Sequence, residues 1–209
     1  MTVTELVRLG KTRILVKIDD EVAFALYGSD LALFPLKERE DITTEEIQDI
    51  YDRVLYKRAK LRLMNLLKER PFTEHELRDK LKKGYYPEAV IQVAMDYVKS
   101  FRYVDDFQFA CDYIESHKET LSRRKLECKL RDKGIDEKTI RDAFDQSNAE
   151  DPLDEEAQIR ALLQKRRYSE IAADPKEKAK TVNFLLRRGY SYGTVRKIMA
   201  LEEEDFYLT

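Results

Sequence analysis

A pattern written three times constrains this chain more than any single motif does. In LKKGYYPEAV, Leu81 precedes Lys82, Lys83, Gly84 and Tyr85, and Val90 lies six residues after the glycine. In LRDKGIDEKTI, Leu130 precedes Arg131, Lys133 and Gly134, then comes Ile135, and Ile140 completes the same interval. In LRRGYSYGTV, Leu186 precedes Arg187, Arg188, Gly189 and Tyr190, and Val195 completes it again. The glycines stand 50 and 55 residues apart, the longer interval being taken up by YSEIAADPKEK. Self-similarity at such a period is the mark of a repeat architecture.

The pattern has a physical reading. Basic residues suit the negative end of a helix, glycine takes the left-handed position just beyond it, and an apolar residue packs back. Tyr85 and Tyr190 are therefore expected to pack against helix ends. Starts are marked too: Thr73-x-x-Glu76 is a capping box, Ser122 is a cap, and Asp174 precedes Pro175. A further apolar helical pattern lies upstream of each pair, in Ala59 to Leu67, in Phe109, Ala110, Tyr113 and Ile114, and in Ala157, Ala161, Leu162 and Leu163. Each copy is thus three helices, and stacking of copies predicts a mainly α protein with an elongated, curved body.

The beginning of the chain differs. TRILVKI and VAFALY are apolar, β-branched runs separated by Asp19-Asp20-Glu21, which predicts a hairpin. LALFPL, Leu31 to Leu36, is expected as a third strand, held to an edge by Pro35. From Thr43 the period becomes helical, with Ile47, Ile50, Tyr51, Val54 and Leu55 on one face and a break near Lys57 left open. The expected organisation is a small β unit over 1–42, a connecting helix over 43–56, and three-helix repeats over 57–105, 106–150 and 151–209.

Composition excludes several classes. The chain has 209 residues, of which 43% are hydrophobic, and its 39 Lys and Arg against 41 Asp and Glu leave a charge of −2. That supports a real core and makes wholesale disorder a poor reading. The longest apolar run, Val22 to Tyr27, falls far short of the roughly 20 residues of a membrane-spanning helix. No secretion signal is legible at the start, so the cytoplasm is the expected location. Cys111 and Cys128 lie in helical sequence without CxxC spacing and are expected as reduced thiols; His75 and His117 have no partner at metal-ligand spacing. Neither phosphate-loop pattern occurs, so no cofactor is expected. Asp105 and Asp106 raise a metal-nuclease reading, but Asp105-x-x-Gln108 has the spacing of a helix cap, which accounts for them better.

Three stretches carry a more specific signal: TEHELRDKLKKGY, YVDDFQFACDYI and LSRRKLECKLRDKGID. Together they resemble the RecX regulators of the bacterial RecA recombinase, over roughly residues 57 to 200. The most specific piece is Tyr103-Val104-Asp105-Asp106 followed by Phe109-Ala110 between the first two repeats. The N-terminal hairpin and following helix resemble the extension of longer members. Where a glycine commonly precedes the aromatic residue of the motif, this chain has Ser100-Phe101-Arg102. The resemblance implies a nonenzymatic inhibitor that docks in the groove of the recombinase–DNA filament, bridges neighbouring subunits, and suppresses strand exchange, ATP hydrolysis and SOS coprotease activity.

Charge is segregated in a way that suits such a partner. Residues 1–56 carry seven basic and twelve acidic side chains, whereas 57–83 carry ten and four. Lys118 to Lys133 hold seven basic and three acidic residues, and Arg160 to Arg188 nine and three. Lys82 and Lys83, Arg131 and Lys133, and Arg187 and Arg188 recur near the end of the second helix of each copy. Solvated helix ends alone select such residues. Arg123, Arg124 and Lys125, with Lys165, Arg166 and Arg167, do not follow that logic and are the better candidates for partner contact. The twelve tyrosines and nine phenylalanines mostly follow apolar helical faces and are expected in cores. The chain is expected to act as a monomer on a recombinase filament; direct binding of single- or double-stranded DNA is the alternative, separable by its salt dependence.

Overall fold

The first strand, β1, Val3–Leu9, pairs antiparallel with β2, Arg13–Ile18, and that in turn with β3, Glu21–Tyr27. The computed structural model describes residues 1–150, 153–168 and 174–200. Asp19 and Asp20, at φ 49° and 68°, form the two-residue turn between β2 and β3. Val3, Val16, Ile18, Phe24 and Leu26 are buried on one side of the sheet.

The expected third strand at Leu31–Leu36 is not one; β1 takes its place in the sheet. Gly28–Leu31 instead forms a single helical turn, α1, and the chain to Leu36 is irregular. The Asp30 carboxylate accepts the Tyr27 N–H at 2.7 Å, ending β3, and Pro35 has no N–H for a ladder. Asp30 is only 6% exposed, and the Arg58 guanidinium grips both its oxygens at 2.9 Å while lying 4.4 Å over the Tyr27 ring. Burial pushes the Asp30 carboxyl up; the Arg58 hydrogen bonds, the Tyr27 N–H and the Arg58 charge outweigh it and leave the pKa below its ordinary value.

Arg58 belongs to a long helical stretch: α2, Thr44–Ile50, a π turn over Tyr51–Leu55, and α3, Tyr56–Glu69. No break falls near Lys57; the departure from α geometry lies just before it and is taken up without interrupting the helix. α4, Glu74–Lys82, and α5, Glu88–Ser100, complete the first repeat. Its core is continuous with that of the sheet, running from Val16, Phe24 and Leu26 through Ile50, Leu55, Ala59 and Leu63 to Leu77, Leu81, Ile91 and Met95. Residues Met1–Asp105 form one compact unit, and Asp106–Thr209 a second.

The second unit holds α6, Asp106–His117, α7, Arg123–Asp132, and α8, Glu137–Glu150, then α9, Glu155–Lys165, α10, Pro175–Arg187, and α11, Tyr192–Ile198. Ala110, Ile114, Leu126, Leu130, Ala143 and Phe144 close one core; Ile159, Leu162, Leu185, Tyr190 and Val195 close the other. The second helices start as expected, the Thr73, Ser122 and Asp174 side chains accepting from the N–H groups of Glu76, Lys125 and Glu177 at 3.2, 3.2 and 2.7 Å.

Their ends follow a different rule from the one read in the sequence. The chain turns left-handed four residues after the last fully buried leucine: Leu81 to Tyr85, Leu130 to Gly134, Leu185 to Gly189, at φ 61°, 80° and 92°. Gly84 is therefore not the left-handed residue; Tyr85 is, and its side chain is exposed rather than packed on the helix end. Gly84 is needed for space, since a Cβ there would meet the Leu81 carbonyl oxygen and the Tyr86 ring at 3.0 Å. In the third copy the buried leucine is Leu185, not the Leu186 that the spacing suggested. The left-handed position before the Tyr103 motif is Arg102, at φ 55°.

Two stability measurements check this account. Asp30→Asn should cost about 2–3 kcal/mol in urea unfolding at pH 7, because it strands Arg58. A carboxyl with a lowered folded pKa stabilises above its ordinary value, so the gap between wild type and variant should close as pH falls below about 4. Gly189→Ala should cost roughly 2–4 kcal/mol and Gly84→Ala less, since only Gly189 combines a positive φ with a Cβ position 2.5 Å from Ser122 Oγ.

Candidate partner-binding surface

Helix ends decide which cations are free. In the first repeat, Arg78 is bonded to Glu74 at 2.9 Å and to Glu88 at 3.0 Å, Lys99 reaches Glu74 at 2.7 Å, and Lys82 lies 3.6 Å from Glu88. Burial raises the Glu74 carboxyl, but its bonds to Lys99 and Arg78 carry the pKa below the ordinary value. Lys83 is exposed and has no ion pair. Arg58, Arg70, Arg78 and Lys82 of this stretch are thus engaged in ion pairs within the fold.

The second repeat consumes its cations similarly. The Nε of Arg123 donates to Glu127 at 2.9 Å, and the guanidinium stands 4.7 Å over the Phe144 ring. Lys125 is half-buried, with its Cβ beside Gly189. Arg131 pairs with Glu137 and lies 3.6 Å from Glu127; its hydrogen bond to Glu137 raises its pKa. Lys133 sits 5.2 Å over Phe109 and 5.8 Å over Tyr113. Of Arg123, Arg124 and Lys125, only Arg124 is both exposed and free of an ion pair.

Asp105 immediately precedes α6, the position of a helix cap, and Phe109 and Ala110 follow on that helix, Ala110 fully buried. Among the described residues no group of three His, Cys, Asp or Glu is placed to hold a metal. Neither Cys111 nor Cys128 is in a disulfide.

The third repeat is docked on the second through its turn. The Ser122 N–H donates to the Arg188 carbonyl at 3.1 Å, Gln158 donates to the Lys118 carbonyl at 2.6 Å, and the Tyr190 hydroxyl donates to Gln158 at 3.1 Å. Burial, with the Glu155 charge nearby, pushes the Tyr190 hydroxyl up to about 12. Lys165 and Arg187 are exposed without ion pairs; Arg166 and Arg188 lie 4.3 and 3.7 Å from the Phe184 ring centre. Arg167 occupies a left-handed turn at φ 55°. Within the interval YSEIAADPKEK, residues 169–173 fall outside the described residues. Sequence reading names Phe101 and Tyr103 as motif residues but does not place them on the surface; with Tyr97 they are exposed by 53, 50 and 37% at the end of the first unit.

Fold and surface together define a tandem three-helix-repeat protein with a small sheet on its first repeat and scattered free cations. Comparison with known proteins agrees. The description "RecX, first three-helix domain" matches residues 59–97, and "RecX, third three-helix domain" matches 154–199. Regulatory protein RecX of Thermobifida fusca is 34% identical, over 72% of this chain and 81% of its own; that of Clostridium beijerinckii is 25% identical over 99% of both. A crystal structure of regulatory protein RecX superposes with a TM-score of 0.56 at 22% identity, covering 96% of this chain and 99% of that one, and shares the fold. The chain belongs to the RecX family of regulatory proteins. No helix among the described residues is long and apolar enough to cross a membrane.

The division between free and engaged cations is measurable. Arg124→Glu and Lys165→Glu should change unfolding free energy by less than about 0.5 kcal/mol, whereas Arg123→Ala should cost roughly 1 kcal/mol through its aromatic and carboxylate contacts.

Proposed function

We propose that this chain is a nonenzymatic regulator of the RecA recombinase, inhibiting it by docking its helical repeats in the groove of the recombinase–DNA filament. The observation that carries the reading is family membership, with a RecX regulatory protein matched over 99% of both chains. The surface is consistent with it: Lys83, Arg124, Lys165 and Arg187 are cations that the fold itself does not neutralise. Such charges gain by meeting carboxylates or phosphates on a partner, and their exposure makes the gain sensitive to salt. Docking along the filament would bridge neighbouring recombinase subunits, slowing strand exchange, ATP hydrolysis and coprotease action. No cofactor is required, a monomer suffices, and the cytoplasm is where filament and regulator would meet.

Co-sedimentation with preformed recombinase filaments, against naked single strands at the same salt, tests this. The chain should pellet with filaments and lower their ATPase rate, and Arg124→Glu/Lys165→Glu should weaken both effects several-fold without unfolding. Equal pelleting with naked DNA and a steep loss with salt would instead support direct nucleic-acid binding.

A further inference from the structure

The cations of the third repeat are distributed unlike those of the first two. A depression of about 530 Å³ is lined by Arg166, Lys176, Lys180, Asn183, Phe184, Arg187 and Arg188, with Ala179 at its wall. Five of these residues are cationic, and no carboxylate lines the depression among the described residues. Among the described residues none of the five is in an ion pair, whereas Arg78, Lys82, Lys99, Arg123 and Arg131 elsewhere all are.

Helix-end chemistry does not explain this. Arg187 and Arg188 stand at the C-terminal end of α10, where the dipole favours them. Lys176 and Lys180 stand in its N-terminal half, where the dipole disfavours a cation, and four residues apart, where like charges repel. The spacing of Lys176, Lys180 and Arg187 places them on one face of α10.

Arg188, one of the lining residues, also carries an unmet donor. Arg188 Nε is shut away from solvent with no hydrogen-bond acceptor. The Arg166 and Arg188 guanidiniums both lie against Phe184, at 4.3 and 3.7 Å from its centre, so stacking holds the planar forks in place before any ligand arrives. Planar, pre-positioned guanidiniums beside flexible ammonium groups are the means by which proteins bind phosphate oxygens.

We propose that this depression binds a compact polyphosphate, either inorganic or the phosphate tail of a nucleotide. A nucleic-acid strand fits less well. Single-strand platforms offer open aromatic faces to successive bases, and here the Phe184 ring is already engaged by arginines. The cations also converge on one hollow. Nothing in the inference requires a recombinase.

Calorimetric titration of the full chain with sodium tripolyphosphate at low salt tests it, with a tetradeoxythymidylate in parallel. Tripolyphosphate should bind at one site, and Lys176→Gln/Lys180→Gln should weaken it by roughly tenfold or more. Lys82→Gln/Lys83→Gln should leave it unchanged. Arg187→Gln, also exposed, provides a second variant if the double one melts early. Absence of binding, equal loss in the Lys82/Lys83 variant, or tighter binding of the tetranucleotide than of tripolyphosphate would each overturn the assignment.

Discussion

Every repeat depends on reversing the chain immediately after a buried leucine. Once Leu81, Leu130 or Leu185 is sealed in its core, four residues remain in which the helix must stop, take a left-handed step and release an apolar residue back toward the same core. Tyr86 and Ile135 return their N–H groups to Leu81 and Leu130 at 3.2 Å, closing carbonyls that would otherwise be orphaned. The third helix then starts at once, so its direction is set by the turn rather than by a loop. Three-helix packing thus follows from the geometry of one step.

The same step governs how the second and third repeats meet. Glycine at position 189 lets the turn approach so closely that its neighbouring carbonyl, that of Arg188, accepts the first free N–H of the preceding repeat's capped helix. In the first repeat the left-handed residue is Tyr85, whose side chain is exposed. At Gly189 a left-handed step and a close approach coincide, whereas at Tyr85 the left-handed step is taken by a residue with a full side chain.

That distinction explains what was legible in the sequence. The three-helix units, the capping residues and the β2–β3 hairpin could be read because each rests on local chemistry: an oxygen at a helix start, an alternating strand, two aspartates in a tight turn. The register of the first turn could not. Gly84 invited the reading that glycine marks the left-handed step, when it is retained because the Tyr86 ring lies over it. Leu31–Leu36 misled for a related reason: its apolar residues are real anchors, with Phe34 buried, but Asp30 had already captured the hydrogen bond that would have continued the strand. β1 was passed over because its residues do not alternate cleanly.

For the surface, sequence counted charges and structure disposes of them. Arg131 and Lys133 recur in the repeat pattern as Lys82 and Lys83 do, yet one is held by Glu137 and the other by two aromatic rings, so recurrence alone overstates the basic face. What distinguishes the cations of this depression is that no carboxylate lines it among the described residues, a property of the neighbours and not of the lysines themselves. A fold that gathers five cations around one depression with no carboxylate in its lining among the described residues has concentrated its capacity for anions there, because an unpaired charge retains attraction that an ion pair has already expended.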